Sequence, residues 1–327
     1  MNKIAMKPGG LQGLVLPQEV YQQKSREYKE ASRAQNTRRA YQHDWASFEA
    51  FCYAEGVDPM PATADTVSAY IIFLRDGQGL KLSSIRRYLS SISMAHKARK
   101  FPSPTQDVEV QSLIDGMKRV HGVAATSKEA ATLEKIQSMM DQVPETPLGI
   151  RDRALLLLGF AGAFRRSELV ALNFEDITET KEGLEIVIRR SKTDQHGEGK
   201  KKAITYGVHW VTCPVRAWVA WKEVMAAQGI CDGAVFRSMD RHGHIKERLS
   251  GKAVALVVKR YAAAAGLDAT QFAGHSLRSG FVTTAVANGA SDHEIMFQTG
   301  HKSRAMVDRY VQQANLFKQN AVTKLGL

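Results

Sequence analysis

Between Lys118 and Thr132 the chain reads "KRVHGVAATSKEAAT" and loses its large apolar residues. Such a stretch adds little to a core, so the chain on either side of it must bury its own apolar surface. At 327 residues the chain is long enough for two cores. The expected division is a flexible, Gly- and Pro-punctuated segment over 1–24, a helical domain over 25–120, a linker over 121–127 and a second domain over 128–327.

Helical spacing dominates the first of these domains. In "NTRRAYQHDWASFEAFCYAEG", Tyr41, Trp45, Phe48 and Cys52 share one face, and Arg38, Arg39 and His43 lie on the other. In "PATADTVSAYIIFLRDG", Val67, Tyr70, Ile71 and Leu74 recur in the same way, and Gly77 is a natural stop. In "LSSIRRYLSSISMAHKARK", Ile85, Leu89, Ile92 and His96 lie on one side, opposite Ser83, Ser84, Arg86, Arg87, Ser90 and Ser91. Hydroxyls interleaved with arginines suit a phosphate backbone. They suit an ordinary solvated face equally well.

The second domain is mixed. "IRDRALLLLGFAGAFRRSELVALNFEDI" reads as two helices broken near Gly162, and "GLEIVIRRSKT" with "KKKAITYG" as a β-hairpin across a charged turn. Further helices start at Pro214, at "SGKAVALVVKRYAAAAG", at "HSLRSGFVTTAVANG" and at a Ser291–Glu294 capping box that closes on Gly300. Another helix, capped by Ser303, carries Tyr310. The fold class expected is mainly α, with a small antiparallel sheet in the second domain. A Rossmann pattern is absent.

The net charge of +12 and the pI near 9.6 favour a polyanionic partner, most simply nucleic acid. Cys52, Cys213 and Cys231 are far apart and fit reduced thiols, not a metal site. "RHGH" at His242 and His244 reads as a solvated loop. No P-loop, GxGxxG or HExxH motif occurs. The longest apolar run, "ALLLLGFAGAF", is too short for a membrane helix, and "MNKIAMKPGGLQGLVLPQEV" has no signal-peptide pattern, so a cytoplasmic protein is expected.

Four short stretches stand out together. "GAFRRSELVAL" sets Arg165 at a helix break with Glu168 one turn on. "RRSKTD" carries Lys192 where the strand turns. "GHSLRSG" holds His275 and Arg278 three apart, on one side of a helical turn. "TGHKSRAMVDRY" places Tyr310 nine residues after His301. In this order and spacing they resemble the tyrosine recombinase (phage integrase) family over roughly residues 25–327. In one respect the chain departs from the family's pattern: Arg166 follows Arg165, where an apolar residue is common.

The resemblance implies a DNA strand-transferase of a two-domain, Cre-like kind, with a helical core-binding domain and an α-rich catalytic domain clamping duplex DNA. Arg165 and Arg278 would stabilise charge on the phosphate, since planar guanidinium forks match its oxygens. Tyrosine has a pKa of about 10, so Tyr310 must lose a proton as it attacks, and His275 is the general base. His301 would bond a phosphate oxygen. Lys192 would protonate the leaving 5′ oxygen, with Lys200, Lys201 and Lys202 as competitors across the turn. Glu168 would orient Arg165 or a histidine. Arg38, Arg39, His43, Ser83, Ser84, Arg86, Arg87 and Ser90 would contact DNA. The product is a 3′-phosphotyrosyl bond and a free 5′-OH, and rejoining needs neither ATP, a metal nor another cofactor. The partners implied are an inverted-repeat DNA site and three further copies, in a homotetramer that works through a Holliday junction. Leu316, Phe317, Ala321 and Leu325 would form an apolar stripe on a tail that docks on a neighbour or on its own domain. Two other readings stay open: a type IB topoisomerase, and a non-catalytic DNA-binding protein derived from a recombinase.

Overall fold

The computed structural model describes residues 18–31, 35–122, 128–189, 199–314 and 325. It divides into two compact units at Ala125–Thr126. The architecture is mainly helical, with two small antiparallel sheets.

The first unit holds α1 (Gln18–Ala31), α2 (Gln35–Glu55), α3 (Ala64–Ile72), α4 (Leu82–Ala98) and α5 (Val108–His121). Helix α1 begins inside the segment read as flexible. Pro17 separates the Gly-rich start from "QEVYQQKSREYKEA", which has no Gly or Pro to break a helix. Residues 1–17 lie outside the described residues. α3 is capped by Thr63, whose side chain accepts from the Thr66 N–H, and it passes into a single wider turn over Phe73–Gly77.

The apolar stripes of α2, α3, α4 and α5 meet in one core of Phe48, Cys52, Val67, Tyr70, Ile71, Leu74, Ile85, Leu89, Ile92, Val110 and Ile114. Each large side chain buried here contributes roughly 1.5–3 kcal/mol. Polar atoms at the core are matched. Tyr70 donates to Ser47 Oγ at 2.8 Å. The fully buried His96 accepts the Ala62 N–H at 2.9 Å through Nε2, which leaves Nδ1–H to donate to the Ile92 carbonyl at 2.9 Å. Arg87 grips the buried Asp44 with two bonds of 2.7 and 2.8 Å, tying α4 to α2.

The second unit is built on α7 (Pro147–Ala161). Its C-terminal half is apolar on almost every side, as a helix surrounded by protein must be. Around it lie α6 (Leu133–Met140), α8 (Arg166–Ala171), α9 (Pro214–Ala226), α10 (Gly251–Ala264) and α11 (Ser276–Ala287), and the core includes Leu155–Leu158, Trp218, Trp221, Val258 and Phe272. Strands β1 (Ile177–Glu179), β2 (Gly183–Ile188) and β3 (Lys200–Thr205) form an antiparallel sheet in that order, with Ile186 opposite Lys202 and Ile188 opposite Lys200. A second hairpin, β4 (Arg237–Met239) with β5 (Ile245–Arg248), carries the exposed His242 and His244 at its turn. This hairpin has no clear sequence signal, because its strands are only three and four residues long and barely alternate. A satellite core of Val282, Ile295 and Val307 joins α11, α12 (Asp292–Thr299) and α13 (Ala305–Ala314).

Candidate active site

The first arginine owes its place to a strained turn. α7 ends at Gly162, and Ala163 takes the left-handed conformation at φ 47°, where a side chain is disfavoured by about 1–2 kcal/mol. Glycine is required beside it, because a Cβ on Gly162 would lie 2.2 Å from the Phe164 ring. The reversal makes Arg165 the N-cap residue of α8. Glu168, one turn on, accepts from the Arg165 backbone N–H at 2.9 Å and from its Nη1 at 2.6 Å. Of the two groups Glu168 could orient, it holds Arg165. Arg166 runs across Gly274 and Gly251, so the departure from the family's pattern leaves Arg165 as the arginine that faces the site.

Arg278 lies in the first turn of α11, 1% exposed. Its Nη1 donates to the Ala163 carbonyl at 2.7 Å, so the strained turn presents one arginine and anchors the other. Its Nη2 is buried with no hydrogen-bond partner among the described residues. An orphaned buried donor of this kind costs about 1–3 kcal/mol and suits an anion that arrives later. Burial, then the Arg165 charge, lowers the Arg278 pKa to about 10, so the group stays charged at neutral pH.

His275 is the N-cap residue of α11, three residues before Arg278 and on the same side. Its Nε2 stands 3.4 Å from Tyr310 Oη, long for a hydrogen bond but within the range seen before a substrate closes a site. Its pKa is lowered by burial and then by Arg278 and Arg165, so the ring is a neutral base at pH 7.

His301 follows Gly300, which closes α12 at φ 72°. Thr299 Oγ1 donates its one proton to the Ile295 carbonyl at 2.7 Å. It must therefore accept from His301 Nδ1–H at 3.0 Å, which leaves Nε2 with its lone pair in the neutral ring. Burial, then Arg278, Arg165, His275 and Lys202, push the His301 pKa down to about 4.

The lysines of β3 separate by strand alternation. Lys201 points outward and pairs with Glu185 at 3.6 Å. Lys200 donates to the Phe297 carbonyl at 2.5 Å, and its pKa is lowered by burial and then by Arg278. Lys202 is 3% exposed, donates to the Gly162 carbonyl and lies 4.7 Å from the centre of the Phe164 ring. Lys192 lies outside the described residues, as do Leu316, Phe317 and Ala321, while Leu325 is exposed.

Arg165, Glu168, His275, Arg278, His301 and Tyr310 are thus brought into one cluster, by a turn, a helix start, a helix end and α13. Thr299 and the Ala163 carbonyl join them without having been singled out as site groups, and so does Lys202, named from the sequence only as one of three competitors to Lys192. The period of two in "KKKAIT" was a usable signal for Lys202, since it shares a face with the buried Ile204. Among the described residues, no group of three or more His, Cys, Asp or Glu side chains is placed to hold a metal. Cys52, Cys213 and Cys231 are free thiols.

In the first unit, Arg39, His43, Ser83, Arg86, Arg87 and Ser90 are exposed, and Arg38 and Ser84 partly so. Arg87 is bound to Asp44 and His43 Nδ1 lies 3.5 Å from the same carboxylate, so neither side chain is simply solvated. Ser91 corrects the expected face. It is 1% exposed and donates to the Tyr88 carbonyl, because Tyr88 widens the inward stripe of α4 past it.

The model of the phage integrase family matches residues 130–316. An integrase/recombinase XerD homologue of Selenomonas ruminantium is 40% identical over 307 residues, covering 92% of this chain and 89% of its own. The tyrosine recombinase XerD of Rhizobium meliloti (strain 1021) is 26% identical, with 86% of each chain covered. A lambda integrase tetramer bound to a Holliday junction shares the fold, with a TM-score of 0.59 at 18% identity over 90% of this chain and 78% of that one. The chain belongs to the phage integrase family, and is a tyrosine recombinase of the XerD-like, site-specific kind. No described helix is long and apolar enough to cross a membrane.

Proposed function

We propose that this recombinase cuts and rejoins duplex DNA through a 3′-phosphotyrosyl bond on Tyr310. The observation that carries the reading is the unpartnered, buried Nη2 of Arg278, in a positively charged cluster where His275 Nε2 stands 3.4 Å from Tyr310 Oη. A phosphodiester supplies the missing acceptor. As Tyr310 Oη bonds to phosphorus, its proton passes to His275 and the P–O5′ bond breaks. Lys192 gives the leaving oxygen a proton, so that it departs as a 5′-OH. Charge that builds on the non-bridging oxygens is taken up by Arg165 and Arg278. With Nδ1–H committed to Thr299, His301 donates to the phosphate from Nε2 only once protonated, and an adjacent anion favours that state. The phosphotyrosyl bond keeps the energy of the broken ester, so a 5′-OH from a second strand can reverse the step.

Two rounds of exchange on paired inverted-repeat sites, held by four copies, would pass through a Holliday junction. The likeness to a lambda integrase tetramer on such a junction supports that sequence of events. The exposed basic and hydroxyl residues of α2 and α4 would add phosphate contacts.

The test is trapping. Fragmented source DNA is incubated with wild type and with Tyr310→Phe, denatured, and the covalently attached fragments are sequenced. Adducts with wild type alone, converging on an inverted repeat, are expected. Adducts with no shared sequence would favour a topoisomerase. Binding by both proteins with no adduct would favour a protein that only binds.

A further inference from the structure

The mechanism above leaves Lys202 without a task. Buried lysines are rare unless paired, and this one shares its surroundings mostly with other cations. Arg165 and Glu168 face it from the α8 turn, Arg278 from α11, His301 from beyond α12 and Lys200 from its own strand. The one carboxylate among them, Glu168, is already bound twice by Arg165. What Lys202 touches is the turn itself: the Gly162 carbonyl, left over at the end of α7, and the Phe164 ring. The next residue is Arg165.

We propose that Lys202 is a positioning residue that responds to the scissile phosphate: it holds the Gly162–Arg165 turn, and it takes up a proton from solvent when the phosphate enters and returns it when the phosphate leaves. The inference rests on reading this cluster as a phosphate site. With the site empty, burial brings the Lys202 pKa to about 7, and the Arg278, Lys200 and Arg165 charges work in the same direction. A phosphate anion beside Arg165 and Arg278 reverses that balance and favours the ammonium form. The ammonium binds the Gly162 carbonyl more strongly than the amine does. The turn would therefore stiffen as substrate arrives. This role differs from protonation of the leaving oxygen, assigned above to Lys192.

The test uses the full chain and the duplex recovered by trapping. Binding enthalpies are measured at pH 7.5 in two buffers of different ionisation heat, in a Tyr310→Phe background, with and without Lys202→Gln. Single-turnover cleavage is measured for wild type, Lys202→Met and Lys202→Gln. The expected result is about half a proton more taken up with Lys202 present. Cleavage by Lys202→Met should be about 10- to 100-fold slower, with duplex affinity lowered only about 3-fold, as the linked proton requires. Lys202→Gln, which keeps a donor for Gly162 but cannot titrate, should fall between. Because Lys202 is one of the charges that lower the His301 pKa, the same pair is also compared with His301→Gln added, where the histidine cannot supply the difference. Equal proton uptake with and without Lys202 overturns the proposal. So does wild-type cleavage by both variants. Failure of wild type to form any adduct instead overturns the phosphate reading beneath it.

Discussion

Arg165 and Arg278 are held in different ways. Arg165 has a buried carboxylate of its own, Glu168. Arg278 has a backbone carbonyl and an unused donor. The cationic pair makes the cluster hostile to further protons, and both histidines register it. Each imidazole is harder to protonate in the folded chain than in the unfolded one, where its pKa is about 6.5. The folded state therefore binds fewer protons, and stability falls as pH drops through 6.5 toward the His301 value of about 4. His301→Gln removes one contributor. Its denaturation midpoint should decline less than wild type's between pH 7 and 4.5, as urea titrations at several pH values would show. Parallel curves would mean that His301 is not destabilised by its surroundings.

At the scale of elements, α11 carries His275 and Arg278, and its position is set by the segment that leads into α6. The Ala131 N–H donates to the Ser276 carbonyl at 2.9 Å, and the Glu129 N–H to the Gln271 carbonyl at 2.8 Å. This approach is possible only because residue 280 is glycine: a Cβ there would sit 1.8 Å from the Ala131 carbonyl oxygen. Gly280→Ala should cost at least about 1–3 kcal/mol and slow adduct formation, because backbone cannot yield as a side chain tip can. Thr283→Ala on the same helix is the control, expected within about 0.5 kcal/mol of wild type. Equal urea midpoints for Gly280→Ala and Thr283→Ala would contradict the close contact.

Such contacts were not legible in the sequence. Helix periods, the Ser291 cap and the β2–β3 hairpin were, because they depend on neighbours along the chain; the expected Ser303 cap was not, since α13 starts two residues later at Ala305. The Ser291–Glu294 box and Gly300 stop were readable for that reason. The close approach at Gly280, the Ala163 carbonyl under Arg278 and the buried side of Ser91 depend on residues distant in sequence. Of the site, the residue types and their order could be read. The tautomer of His301 and the task of Lys202 needed the packed turn.

At the scale of the whole molecule, the chain has two separate cores and a charge of +12, and charge of that size favours a polyanionic partner. If the basic face of α2 and α4 binds backbone, affinity should fall steeply with salt. With roughly six to ten phosphates neutralised, the slope of log K against log salt is about −5 to −9. Arg86→Ala should lower that slope by about one and weaken unrelated duplexes equally. An unchanged slope would remove Arg86 from the interface.

The most direct test of the central claim is to find the atom that holds the DNA. Covalent complexes from wild type would be digested with protease and nuclease, and the peptide that carries a residual nucleotide sequenced by mass spectrometry. A single adducted peptide is expected, modified on Tyr310 through a 3′ phosphate, with 5′-OH on the other DNA end. A nucleotide on any other residue, or a 5′-phosphate linkage, would contradict it.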